Sequence, residues 1–217
     1  MKVILRSLLC LAFLSCIFSG ITKAQSSWID SLSIETNDNN NRWINVVSKA
    51  KLQPDSDIKL EIILTEKISI ANGGSFWFAQ FYEDSVRITA GKFTEEKKLF
   101  RMKTNIYDRT EYVLKDRTFS EFRNSVKIDS LLLLPDMEAL RPRMFKYAEN
   151  HLGEQQKIVR AIVDGTSYDL TIILNEKERT VSYHNACSYH EFYSSINELG
   201  YFCNLIEISN KFYKRKD

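Results

Sequence analysis

The sequence predicts an α+β fold built mainly on antiparallel β-meanders, with two or three helices packed on one side. Two observations predict it. Several short runs alternate apolar and polar residues between turn signals, which is the period of half-buried strands. Two Ser/Thr-x-x-Glu boxes, Thr118 to Glu121 and Ser188 to Glu191, each precede apolar residues at helical spacing.

The best-specified stretch is 157–208. Residues 158–163 form an apolar run broken only by Arg160, followed by Asp164-Gly165, a strong short-range hairpin signal. Tyr168, Leu170, Ile172 and Leu174 then fall on one strand face, with Asp169 and Thr171 on the other. Residues 175–179 are a charged turn, and 180–184 place Val181 and Tyr183 together. These runs predict a three-stranded meander. Ser188 and Glu191 open a helix carrying Phe192, Ile196 and Leu199. Gly200 stands where a helix of that length ends, and 201–208 read as a returning strand.

Earlier in the chain, 26–36 suggest a short strand around Leu32 and Ile34. Residues 37–41 are an Asn/Asp-rich surface turn, and 43–52 lean to strand. Ile58, Leu60, Ile62 and Leu64 alternate as a clear strand. After Asn72-Gly73-Gly74, the aromatic residues Phe76, Trp77, Phe78, Phe81 and Tyr82 crowd together. Such a cluster is either a strand buried on both faces or a stacking platform for a protein or glycan partner. Strands follow at 86–93, 99–104 and 112–114, with a charged turn at 95–98. The box at Thr118 opens a helix with Phe119, Phe122 and Val126 on one face. Residues 128–134 either continue it or form a buried strand, ended by Pro135. Pro142 and Gly153 bracket a predicted short helix over 143–152.

An offset of 70 residues aligns 88–93 with 158–163, and Thr118, Glu121 and Phe122 with Ser188, Glu191 and Phe192. This makes 85–127 and 155–197 a candidate internal repeat of two tandem β-β-β-α units. It requires Phe122 and Phe192 to hold equivalent core positions.

The first residues read as an address. Lys2 and Arg6 precede an apolar core at 8–18, and Thr22-Lys23-Ala24 suggests cleavage before Gln25. The competing reading is a lipid anchor at Cys16. The chain has 30 basic and 28 acidic residues. Residues 1–24 carry Lys2, Arg6, Lys23 and no acid, so the mature 193 residues hold 27 basic and 28 acidic, or −1. That balance gives no warrant for nucleic acid as a partner. No later apolar run is long enough to cross a membrane as a helix. With only 7 Gly and 3 Pro and no low-complexity linker, 25–217 read as one compact domain.

Of the four cysteines, Cys187 and Cys203 lie beyond the leader, and in an oxidising compartment they are expected to pair. A helix over 189–199 advances about 15 Å, and four extended residues return about 13 Å. A zinc site using His184, Cys187, His190 and Cys203 is the alternative, although the spacing fits no familiar zinc pattern. A Cys187–His184 nucleophilic dyad would need a free thiolate. His151 falls near the end of the predicted helix over 143–152, and 211–216 form a basic tail containing Phe212 and Tyr213.

No Gly-x-Ser-x-Gly, His-Glu-x-x-His or phosphate-cradling glycine loop occurs, and no cofactor is implied. The leading expectation is therefore an exported binding or interaction module, periplasmic, secreted or surface-held, with an unknown protein or glycan partner. The alternatives are an extracytoplasmic hydrolase using paired carboxylates, for which Glu95, Glu96, Asp136 and Glu138 are scattered candidates, and a metal-binding protein.

Overall fold

A computed structural model describes residues 28–35, 57–68, 72–98, 101–162 and 165–213. The leader expected at 1–24, with Cys16, the turn expected at 37–41 and the run at 43–52 lie outside the described residues. The chain divides into two units, Met1–Leu32 and Ser33–Asp217. The described part of the first is a 3-10 turn, Trp28–Ser31, in which the Ser31 hydroxyl donates to the Trp28 carbonyl at 2.7 Å. The expected strand around Leu32 and Ile34 is not formed; residues 32–35 are irregular.

Among the described residues the second unit carries four antiparallel strands joined in sequence: β1 (Leu60–Ile68), β2 (Gly73–Phe81), β3 (Ser85–Lys98) and β4 (Arg101–Lys115). Helices α1 (Asp116–Val126), α2 (Ile128–Leu132) and α3 (Met137–Leu140) follow, then a 3-10 turn, Arg141–Arg143. Strands β5 (Lys146–Glu149) and β6 (Gln155–Ile158) form a separate two-stranded hairpin. Strands β7 (Thr166–Leu174) and β8 (Lys177–His184) rejoin the main sheet, and α4 (Ala186–Phe192) and α5 (Asn197–Tyr213) are the last described elements. The main sheet has six strands in the order β4-β3-β2-β1-β7-β8, every neighbouring pair antiparallel. The α+β class is as the sequence predicts.

Strand alternation divides the side chains between two faces. On one face lie Leu60, Ile62 and Leu64 of β1, Trp77 and Phe81 of β2, and Leu170 and Ile172 of β7, all buried. Helices α1 and α5 cover this face. Phe122 of α1 sits 6.2 Å from Trp77 and 6.0 Å from Phe81 between ring centroids, and Phe212 of α5 sits 6.4 Å from Trp77. Phe202 of α5 stacks on Tyr183 at 4.1 Å. On the other face Ile63, Phe76, Phe78 and Phe93 form a second buried cluster, flanked by Ile106 and Ile173. The strand β2 is therefore apolar on both sides, as a strand in the middle of a sheet with two buried faces must be.

The edge strand β8 is capped from outside by the chain between α2 and α3. Arg179 donates to the carbonyls of Leu132 and Leu134 at 2.8 and 2.7 Å, and Tyr183 donates to that of Pro135 at 2.7 Å. The Ser182 amide donates to Asp136 at 3.4 Å.

Several local expectations are corrected. The run 158–163 is not the first strand of a meander. Strand β1 occupies the flank of β7 opposite β8, in register from Leu60 with Leu174 to Ile68 with Thr166, so no edge is left for it. A contact more than a hundred residues distant in sequence displaces the local one. Residues 159–162 are irregular, and Asp164 lies outside the described residues. The predicted strand at 201–208 is helical. Leu199, Phe202, Cys203, Leu205, Ile206 and Ile208 are all buried in α5, and a short continuous apolar run does not distinguish a buried strand from a buried helix. The predicted helix over 143–152 is instead a 3-10 turn followed by β5 and a tight turn.

Neither capping box forms. The Thr118 hydroxyl donates back to the Lys115 carbonyl at 2.7 Å while Glu121 accepts from Arg117 at 2.7 Å, and Ser188 lies inside α4. The helical face of Phe119, Phe122 and Val126 is nonetheless buried as expected. Under the offset of 70 residues, Ile88 to Phe93 belong to a central strand, whereas of the matching run Ile158 ends β6 and 159–162 are irregular. Phe122 is buried and Phe192 half-buried, so the two segments do not share an element order.

Candidate functional site

Of the five aromatics read as either a strand buried on both faces or a stacking platform, Phe76, Trp77, Phe78 and Phe81 are buried. Tyr82 is half-exposed, with the Arg87 guanidinium 5.6 Å from its ring centre. These four residues belong to the core and offer no stacking surface.

The exposed apolar side chains gather elsewhere, on the β5–β6 hairpin. Tyr147 is 63% exposed, Leu152 71% and Val159 64%. Exposed apolar side chains also lie on the main body: Val113 on β4, Leu133 after α2, and Ile68 and Tyr107, which line one cleft. The hairpin register pairs Lys146 with Ile158, Tyr147 with Lys157 and Glu149 with Gln155. Its tip is held by one side chain. The Asn150 carbonyl oxygen Oδ1 accepts from the amides of Leu152 and Glu154 at 2.9 and 3.0 Å, and its Nδ2 donates to Glu154 at 3.1 Å. Gly153 takes φ +80°, a conformation that favours glycine. The tip is thus fixed with Leu152 pointing out, which lowers the ordering cost of any contact it makes.

The base of the hairpin is tied to α4 and α5. The Arg160 amide donates to the Tyr193 hydroxyl at 2.6 Å and the Ile162 amide to that of Tyr189 at 3.2 Å. Arg143 makes a two-pronged contact with Glu198 at 2.6 and 3.1 Å. That contact lowers the Glu198 pKa from the ordinary carboxylate value, the Arg143 hydrogen bond being the largest cause. Three cations rest on rings rather than on carboxylates: Lys146 and Arg160 lie 4.7 and 5.4 Å from the Phe192 ring centre, and Lys157 lies 4.4 Å from that of Phe145. Sequence reasoning missed this element. The signal available was Asn150 and Gly153, spaced as a tight turn between two short runs.

The carboxylates of the main sheet are arranged differently. A cleft of about 1070 Å³ at one end of the sheet is lined by Glu66, Lys67, Ser75, Glu95, Glu96 and Tyr107, among others. Glu66 stands opposite Ser75 on β2 and Tyr168 on β7, and accepts from both hydroxyls, at 2.5 and 3.2 Å. Burial, then the Glu66 charge, push the Tyr168 phenol well above its ordinary range, and burial does the same to Tyr213 nearby. Lys67, the next residue on β1, points to the other face and pairs with Glu95 at 3.3 Å. Glu66 and Glu95 therefore serve opposite faces of the sheet and do not confront each other across a shared bond. Asp136 caps β8, and Glu138 pairs with Arg141 at 3.0 Å. Burial raises the Asp169 pKa, partly offset by a hydrogen bond from Ser182 and the charge of Lys67.

Cys187 and Cys203 are joined, with Cα atoms 5.1 Å apart. The pairing is as expected, but the closing element is α5 rather than a returning strand. It removes the thiolate from the Cys187–His184 dyad and both sulfur ligands from the zinc set. Among the described residues no group of three or more His, Cys, Asp or Glu is placed to hold a metal. The Thr166 amide donates to Asn185 Oδ1 at 2.9 Å, so Asn185 Nδ2 faces His184 Nε2 at 2.9 Å and donates to it. His184 Nδ1 is left to donate to the Ser167 hydroxyl at 3.2 Å. His190 packs on Gly200, where an added Cβ would lie 2.9 Å from the ring, so this glycine is needed inside α5 rather than at its end. His151 is exposed in the hairpin turn. In the expected basic tail, Phe212 is buried in α5 and Tyr213 ends that helix; 214–217 lie outside the described residues.

No helix among the described residues is long and apolar enough to cross a membrane. Comparison with family models, with curated proteins and with solved structures finds no match for the chain.

Proposed function

We propose that the chain is a non-enzymatic binding module working outside the cytoplasm, with the β5–β6 hairpin as its contact element. One observation carries the reading: Tyr147, Leu152 and Val159 are each exposed within the single segment 146–159, whose hairpin tip is locked by Asn150. Apolar side chains exposed along a pre-ordered element are costly to leave in water, and its rigidity lowers the ordering cost of a contact. The signal-like pattern of the sequence at 1–24 and the Cys187–Cys203 pair support an oxidising compartment. The carboxylate hydrolase is not favoured, because Glu66 and Glu95 face opposite ways and are each already bonded.

The test is a photo-crosslinking amino acid placed at Leu152 or Val159 in the host that exports the protein, with exposed Glu207 on α5 as the control position. Adducts of defined mass are expected from the hairpin positions and not from the control. Replacing Tyr147 with Ser should weaken the adduct formed at Leu152. An absence of hairpin adducts, or equal labelling from Glu207, would sink the reading.

A further inference from the structure

We infer that the partner of the hairpin is a second copy of this chain, docked side by side and antiparallel about a two-fold axis; the inference rests on the hairpin being the contact element.

Charge is the first argument. The exposed cations Lys146, Lys157 and Arg160 lie at the base of the hairpin, resting on Phe192 and Phe145. The exposed acids Glu149 and Glu154 lie at its tip. Lys146 and Glu149 are three residues apart on β5, roughly 10 Å at strand spacing. The hairpin is thus a short rod with opposite charges at its two ends. Two such rods laid antiparallel place each acidic tip against the other's basic base, and a two-fold axis makes both contacts at once. A parallel arrangement would set like against like. The same polarity disfavours tip-first entry into an anionic lipid surface, because Glu149 and Glu154 flank Leu152 there.

The backbone is the second argument. Strands β5 and β6 pair only with each other among the described residues, and an isolated two-stranded hairpin is marginal in water. A second hairpin would supply further strands and cover Tyr147 and Val159 with apolar surface. Unpaired strand edges are templates for this kind of association.

The experiment uses the full chain purified from a secreting host and sedimentation equilibrium over a range of concentrations. Wild type should dimerise, more weakly as salt rises. A base-reversed variant, Lys146→Glu with Lys157→Glu, carries acids at both ends. A tip-reversed variant, Glu149→Lys with Glu154→Lys, carries cations at both ends. Each alone should dimerise at least about tenfold more weakly than wild type. Mixed in equal amounts, they should regain a heterodimer, since every acidic end then meets a basic one. Arg117→Glu with Lys115→Glu, on the main body, should leave the dimer intact. Matching far-ultraviolet circular dichroism and urea midpoints among the variants exclude misfolding as the cause. A wild type that remains monomeric at the highest concentration, or reversed variants that do not restore each other, would overturn the inference. If hairpin crosslinks persist to a different species while wild type is monomeric, self-pairing falls and the contact element stands.

Discussion

Strand β2 and the β5–β6 hairpin are both short aromatic-bearing segments beside a glycine, yet they have opposite fates. Phe76, Trp77, Phe78 and Phe81 are buried on two faces of a central strand, whereas Tyr147, Leu152 and Val159 remain in water. The difference comes from neighbours. Strand β2 has β1 and β3 on its flanks, with Phe122 and Phe212 against one face. The hairpin has no third strand among the described residues and is held by side chains at its base. Aromatic content alone does not distinguish a core from a contact surface; the number of pairing partners does.

The largest expected effect tests the buried member of this pair. Trp77→Ala would empty a site between Phe122 and Phe212, and large-to-small changes of this kind cost about 3–5 kcal/mol. A urea titration should show the loss as a lower midpoint at unchanged slope. A change below about 1 kcal/mol would mean that Trp77 is not enclosed.

That contrast also explains how much was legible in the sequence. The alternation of Leu60, Ile62 and Leu64 and of Leu170 and Ile172 gave strands in the right places, because a half-buried strand writes its period into its own residues. The face of Phe119, Phe122 and Val126 did the same for α1. The partner of a strand is not written locally. The Asp164-Gly165 signal suggested a neighbour for β7 close in sequence, but β1 fills that flank from about a hundred residues away. The run at 201–208 was apolar at nearly every position, so it carried no period with which to separate strand from helix. The hairpin was missed because its residues are mostly polar, and Pro142 and Gly153 resembled the punctuation of a helix. The aromatic cluster is conspicuous by composition alone, and burial by distant elements decides its role.

The next effect concerns the junction between the two regions. Cys187 lies on α4, whose Tyr189, with Tyr193 just beyond, accepts the amides of Ile162 and Arg160 below the hairpin; Cys203 lies on α5, which packs on the sheet. With a sequence separation of 16 residues, the cross-link should contribute about 3 kcal/mol in the chain-entropy model. Replacing both cysteines by serine should lower the urea midpoint accordingly. It should also speed hydrogen exchange at the Arg160 and Ile162 amides more than in the centre of β1. If exchange rises equally at both places, α4 is not the tether of the hairpin and the contrast between the two regions loses its physical link.

The smallest effect is the ion pair that fastens the 3-10 turn before β5 to α5. Arg143 and Glu198 are both in contact with solvent, so screening should hold the pair to less than about 1 kcal/mol. Its pH dependence has a definite sign. The folded pKa of Glu198 is lowered, so between that value and the unfolded value the unfolded chain binds more protons. The stabilisation is fully present above the unfolded value and is lost as pH falls through the folded one. Asp169 works in the opposite direction: its raised pKa makes the folded chain bind more protons, so its burial penalty is relieved on acidification. Comparing wild type with Arg143→Ala cancels the Asp169 contribution, which both share, and isolates Glu198. The urea midpoints should differ at neutral pH and converge in acid. Convergence at high pH instead would mean that Glu198 gains nothing from Arg143, leaving the two tyrosine hydroxyls to hold the base of the hairpin.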